Sequence, residues 1–170
     1  MRTLFRFIKV DRLLRDEKGG TLAELAILVP MLVVMLAAVT EIGRLFQTYT
    51  ALSKSTRSAA RYLSNHPYDE GPPVNYIAQG RNMALCGQTD CTGKEPLVAG
   101  LESENIEITA ETPGGIGNPT TVSVRIVNYT FQPIFNLGAL MPVANRFTTL
   151  PVTSGTTMYY MWIDPAGARE

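Results

Sequence analysis

Residues 25–39 read Leu-Ala-Ile-Leu-Val-Pro-Met-Leu-Val-Val-Met-Leu-Ala-Ala-Val, with no charge among them and with Glu24 and Glu41 as brackets. An apolar stretch of this kind must be buried in protein or in lipid. A helix needs about 20 apolar residues to cross the hydrocarbon core, with a lower limit near 17. The run is slightly short. It reaches spanning length by taking in Thr21, Leu22 and Ala23 before it and Thr40 to Phe46 after it. That extension brings Glu24 to the membrane surface or below it, a placement that costs free energy unless a cation pairs with the carboxylate.

Charge fixes the orientation. Net charge over the 170 residues is zero, but residues 1–19 carry Arg2, Arg6, Lys9, Arg12, Arg15 and Lys18 against Asp11, Asp16 and Glu17. The segment after residue 65 is acidic. A basic patch can serve nucleic acid. Here it abuts an apolar run, and the excess of Lys and Arg on the cytoplasmic side of membrane helices accounts for it better. The expected layout is a basic cytoplasmic leader (1–19), a membrane anchor continuing as an amphipathic helix (20–64), and an extracytoplasmic domain (65–170). The expected location is the bacterial cytoplasmic (inner) membrane, with the C-terminal part periplasmic or extracellular. No nucleic acid partner is expected.

Three readings of the apolar segment compete. A cleaved secretory signal has the right apolar length, but Leu36-Ala37-Ala38 lacks a small residue at the minus-three position. A plain signal anchor needs no cleavage. In the third reading a prepilin-type peptidase cuts before the apolar run and the helix is kept. Lys18-Gly19-Gly20-Thr21-Leu22-Ala23-Glu24 favours the third. Basic residues precede a glycine, and an acid follows it at the mouth of the helix. Glycine lets the backbone enter a protease as an extended strand. The cut falls between Gly19 and Gly20, so Glu24 becomes the fifth residue of the mature chain. The new amine at Gly20 of a neighbouring subunit is then a cation for Glu24. The competing local reading makes Gly19-Gly20 a turn and Glu24 a solvated acid at a helix N-terminus.

The stretch from Gly20 through Leu25 and Pro30 to Val39, Glu41, Gly43 and Arg44 resembles the TadE-like family, minor pseudopilins of the tight-adherence (Flp) pilus system. Gly20, Glu24, Pro30, Glu41 and Gly43 carry the resemblance. Leu25 and Ile42 stand where the family has aromatic residues, and Ser58-Ala59-Ala60-Arg61-Tyr62 is similar to the alanine-rich end of its first helix. The resemblance covers residues 15–63. It implies a pseudopilin acting in pilus assembly, cell adhesion and secretion. It also implies several partners: other pseudopilins, the major pilin, the inner-membrane assembly platform, a prepilin peptidase and membrane lipid.

Beyond the anchor, Ile42, Leu45, Phe46, Tyr49, Leu52, Ala59, Ala60 and Leu63 keep helical spacing. One helix is therefore expected from about Thr21 to Ser64, with Pro30 as a potential kink. Asn65 to Pro73 reads as a loop, and residues 74–85 as a short second helix. Ile106 and Ile108 alternate with Glu107, and Val122, Val124, Ile126 and Tyr129 lie mostly on a period of two, so both stretches read as strands. Pro113 to Pro119 is a turn, Asn136 to Ala144 a loop or short helix, Phe147 to Leu150 a weak strand, and Thr156 to Trp162 a final strand. The class is α+β: a long helix, a short helix and a small antiparallel sheet of three or four strands. The two cysteines, Cys86 and Cys91, are expected to form a disulfide if the tail is extracytoplasmic.

Catalytic signals are lacking. The single histidine, His66, adjoins Pro67 in a loop, which leaves no histidine-based triad. Two cysteines and one distant histidine do not make a zinc site, and Gly114-Gly115-Ile116-Gly117 precedes no helix, so it is not a phosphate loop. Glu102 and Glu104 read as a solvated edge. No enzyme, metal or cofactor is expected. The rival to a pseudopilin is an uncleaved, membrane-anchored extracytoplasmic binding module.

Overall fold

A computed structural model describes residues 17–112, 118–135 and 149–163. The chain divides into two units, residues 1–42 and 43–170. Helix α1 (Glu17–Ser64, 48 residues) belongs to both. The described helix already includes Glu17 to Gly20, so it reaches further back than Thr21, and Gly19-Gly20 lies within it rather than in a separate turn. Pro30 sits inside the helix. In the N-terminal unit Leu22, Leu25, Ile27, Leu28, Leu32 and Leu36 are all exposed. The described helix is long and apolar enough to cross a membrane, and none of its most apolar window is buried in protein.

The C-terminal unit is built on a three-stranded antiparallel sheet in the order β1 (Ile106–Glu111), β2 (Thr121–Phe131), β3 (Leu150–Tyr159). Central β2 pairs Ile106 with Ile126 on one side and Thr121 with Tyr159 on the other. Its alternation buries Val122, Val124 and Ile126, then shifts phase to bury Tyr129 and Phe131. The shift is a β-bulge. Between the pairs Ile126–Ser154 and Tyr129–Val152, Val127 and Asn128 lie opposite Thr153 alone. Asn128 takes the left-handed conformation (φ 56°), which asparagine tolerates better than most residues. The bulge explains why the sequence of this strand keeps a period of two only in part.

Strand β3 corrects two expectations. The weak strand ending at Leu150 and the final strand starting at Thr156 are one strand, which stops at Tyr159 and leaves Trp162 outside it. Pro151 looks like a breaker, but β3 is an edge strand, where a missing N–H is tolerated. Phe147 and Thr148 lie outside the described residues, as do Asn136 to Ala144 and most of Pro113 to Pro119.

The core of this unit begins well before residue 65. Leu52, Ala59, Ala60 and Leu63 of α1 are fully buried and cluster with Val122, Val124, Ile126, Phe131 and Val152. Small side chains keep the helix close to the sheet. Hydroxyl pairs tie it to β3: Ser53 Oγ lies 3.2 Å from Ser154 Oγ, and Thr56 Oγ1 lies 3.3 Å from Thr156 Oγ1.

The C-terminal turn of α1 leaves carbonyls that the helix itself cannot satisfy. Asn65 Nδ2 donates to Arg61 O (2.8 Å), and Met161 N donates to Ser64 O (2.8 Å). His66 Nδ1 lies 2.7 Å from Tyr62 O, which can only accept, so this nitrogen carries the proton. The imidazole also stacks on the Tyr62 ring, with centroids 4.0 Å apart.

Helix α2 (Tyr76–Cys86) is capped by Asn75, whose Oδ1 accepts from Ala78 N at 2.7 Å, and ends at Gly87 in the left-handed conformation (φ 77°). It starts two residues later than its apolar pattern suggests, because Asn75 is the cap. Cys86 and Cys91 form a disulfide, with Cα atoms 5.9 Å apart.

Candidate functional site

Two regions hold the residues singled out above. The first is the N-terminal part of α1. Gly20 has open space around it, with no atom within 4 Å of where a Cβ would stand. Glu24 is exposed one turn further along, between Leu22 and Leu25, which are also exposed. Residues four apart on a helix share a face, so the Gly20 backbone and the Glu24 side chain lie on one face of α1. Two successive glycines weaken the helix here by about 1 kcal/mol each relative to alanine, which makes the Gly19–Gly20 peptide easy to unwind. Glu41, at the far end of the apolar run, is buried (7% exposed), whereas Gly43 is exposed with open space around it.

The second region is a cleft of about 550 Å³ in the C-terminal unit. Arg44 and Thr48 of α1 form one wall, Gly100 and Glu102 a second, and Asn128 to Phe131 of β2, with Gln132 just beyond the strand, the third. The Arg44 guanidinium stands 5.4 Å from the centroid of the Phe131 ring, within cation–π range. Asn105 ties the 3₁₀ turn Ser103–Asn105 to the β2 bulge. Its Oδ1 accepts from Glu102 N at 3.0 Å, and its Nδ2 donates to Val127 O at 3.2 Å. Tyr129 donates its hydroxyl to Ala99 O at 3.1 Å. Burial raises the pKa of that phenol, and Arg44 nearby offsets part of the rise.

The cleft brings together Arg44, which adjoins the Glu41-Ile42-Gly43 group in the sequence, with Asn105 and Asn128, which no sequence pattern singles out. It does not hold Glu104, and Glu102 lines it only as an exposed residue. Among the described residues, no group of three or more His, Cys, Asp or Glu is placed to hold a metal ion.

The exposed apolar face with Gly20 and Glu24 at its start, followed by Glu41 and Gly43, repeats the pattern of one family. Residues 19–61 match the TadE-like protein family. The match ends at Arg61, so it covers the anchor and most of the amphipathic half of α1, while α2 and the sheet lie beyond it. It agrees with the resemblance read from residues 15–63. A TadE-like segment implies association with the tight-adherence pilus, and its long apolar helix fits a membrane anchor. Comparison with curated proteins and with solved structures returns no match.

Proposed function

We propose that this chain is a minor pseudopilin that acts in assembly of a tight-adherence pilus, after a prepilin peptidase has removed residues 1–19. The observation that carries the reading is the TadE-like match starting at Gly19, on an exposed apolar helix with an acid four residues after Gly20. Basic residues 1–19 hold the N-terminus in the cytoplasm, and the unit after Gly43 lies outside it.

The role is structural, not enzymatic. Cleavage frees an amine at Gly20, about 6 Å along the helix axis from Glu24 at 1.5 Å per residue. In lipid a lone carboxylate is costly, and the amine of an adjacent subunit offsets that cost. Glu24 thus sets how deep one apolar helix sits beside another. The partners on this reading are other pseudopilins, the major pilin, the assembly platform and the peptidase. Deleting the chain from its host should remove major pilin from the sheared surface fraction, and supplying the wild-type chain should restore it. Undiminished surface pili in the deletion strain would refute the proposal.

A further inference from the structure

Strand β2 outlasts one of its partners. β1 pairs with it only from Glu111–Thr121 to Ile106–Ile126, and the chain just before β1 leaves the sheet through the 3₁₀ turn Ser103–Asn105. β2 continues to Phe131. On its other side β3 stays with it, closing on the pairs Tyr129–Val152, Thr130–Pro151 and Phe131–Leu150. Among the described residues, the end of β2 therefore has a neighbouring strand on one side only. The cleft of about 550 Å³ lies along the other side. Asn105 supplies one bond there, from its Nδ2 to Val127 O.

Thr130 comes next on that side. Along a strand, successive residues direct their N–H and C=O to opposite neighbours. Tyr160 N donates to Thr120 O, so Met158 and every second residue before it, down to Val152 and Leu150, bond to β2. Pro151 then faces away from β2, where a residue without an N–H can stand. Opposite these, Tyr129 and Phe131 bond to β3, and Thr130 turns its N–H and C=O the other way, into the cleft that it lines. Thr130 is exposed, and among the described residues no other backbone group bonds to it there. The walls are held in place without it. Tyr129 donates its hydroxyl to Ala99 O, Gly100 turns in the left-handed conformation (φ 78°), and Asn105 braces the bulge.

Geometry sets what fits there. An unpaired N–H and C=O on a strand edge are met by another extended backbone, which exchanges two bonds with them. The edge lies between two walls, with Thr48 of α1 on one side and Gly100 and Glu102 on the other. A single extended segment can reach it, and the broad face of a folded domain cannot. We infer that the cleft is a peptide-binding slot: an extended segment of another protein chain takes the place that β1 leaves beside Asn128–Phe131, with a residue other than proline opposite Thr130. Asn128 and Gln132, exposed on either side of Thr130, add side-chain amides that can bond to the same segment. The inference concerns the C-terminal unit alone and stands whether or not residues 1–19 are removed.

The full chain is placed in phosphatidylcholine nanodiscs and probed with a phage library of random seven-residue peptides, with empty nanodiscs used to remove peptides that bind lipid. The inference expects peptides to be enriched and to bind the wild-type chain in calorimetry. N-methylation of one central residue of a selected peptide should weaken binding about tenfold or more, because its N–H bonds to Thr130 O and the blocked bond leaves that carbonyl unpaired. Methylating either neighbour of that residue should do little, because their N–H groups face away. Thr130→Trp, which fills the slot, should abolish binding, with an unchanged unfolding midpoint to show that the fold survives. Thr130→Val, which keeps the backbone and the shape of the side chain, should retain it. The N-methyl series needs no variant of the chain, so it decides the matter if Thr130→Trp fails to fold. Selection of no peptide overturns the inference. So does a peptide that binds Thr130→Trp as well as wild type, or one that tolerates N-methylation at every position, since it is then held elsewhere or by side chains alone. Binding of saccharides from a glycan array in place of peptides makes the cleft a sugar site and overturns it as well.

Discussion

A methyl group on Gly80 of α2 would stand 2.6 Å from the Leu63 side chain of α1. Both residues are buried, Leu63 completely. The contact fixes how closely the two helices approach, and it accounts for a glycine in the middle of a helix, where alanine is favoured by about 1 kcal/mol. Gly80→Ala is therefore expected to destabilise the C-terminal unit. Overpacking costs about 1–3 kcal/mol, and the gain in helix propensity returns part of it. Leu63→Val, harmful alone, should recover part of the loss in the Gly80→Ala background. Denaturant unfolding of the detergent-solubilised chain measures all three variants. Strictly additive effects would show that the two residues do not share this space.

Tyr160 links three segments. Its hydroxyl donates to His66 O and accepts from Tyr68 N, each at 3.0 Å. Tyr160→Phe leaves both groups without this partner and should cost about 1–2 kcal/mol, the net worth of two hydrogen bonds.

The same phenol predicts an alkaline limit. Burial holds the pKa of Tyr160 above its ordinary value, with the Tyr68 N–H offsetting part of the rise. Burial also raises Tyr62, Tyr68 and Tyr129. Each folded-state pKa lies above the unfolded one. The stability these groups contribute is therefore complete below about pH 10, the ordinary phenol value, and is lost as pH rises through the folded-state values. Unfolding curves should be insensitive to these groups from neutral pH to about 9 and shift to lower denaturant above 10, less so in Tyr160→Phe. A Tyr160→Phe curve that falls with pH as steeply as the wild type would remove Tyr160 from this account.

The disulfide makes a weaker demand on stability. Cys86 and Cys91 are five residues apart, so the bridge constrains little of the unfolded chain. Replacing both with serine should cost less than the roughly 3 kcal/mol expected of a 15-residue loop. Alkylation without reductant, followed by mass analysis, should find both thiols blocked in protein taken from membranes. Free thiols there would contradict an oxidising compartment for this unit.

The long apolar helix is legible from the sequence because it depends on local properties alone, its length and its lack of charge. So are β1, the first half of β2 and the disulfide. What escapes a reading of the sequence depends on contacts distant along the chain. Periodicity shows that residues 43–64 are amphipathic, but not that Leu52 and Leu63 join Val122 and Val124 in one core. Strand β3 reads as two pieces, since Pro151 and Gly155 look like breaks and only pairing with β2 keeps the strand whole. Asn128 gives no pattern because its left-handed conformation belongs to the bulge. Asn75 is the exception, a capping residue in plain view before Tyr76 that apolar periodicity alone passes over.

Gly19 and Glu24 should separate processing from assembly. Gly19→Leu puts a bulky side chain at the proposed scissile bond and should leave the full-length chain in the membrane. Glu24→Ala should be cut but fail to support pili. Losing one partner of a buried charged pair costs on the order of 3–5 kcal/mol, and less at a membrane face. Normal processing of Gly19→Leu would remove the peptidase from the account, and normal pili with Glu24→Ala would remove the pairing role.

The central claim is that this chain is a processed pseudopilin, and its N-terminus tests that most directly. Protein extracted from host membranes should yield Gly20 as its first residue, by N-terminal sequencing or by the intact mass of the chain lacking residues 1–19. A chain still beginning at Met1 in cells that assemble the pilus would contradict it and would leave an uncleaved anchor in its place.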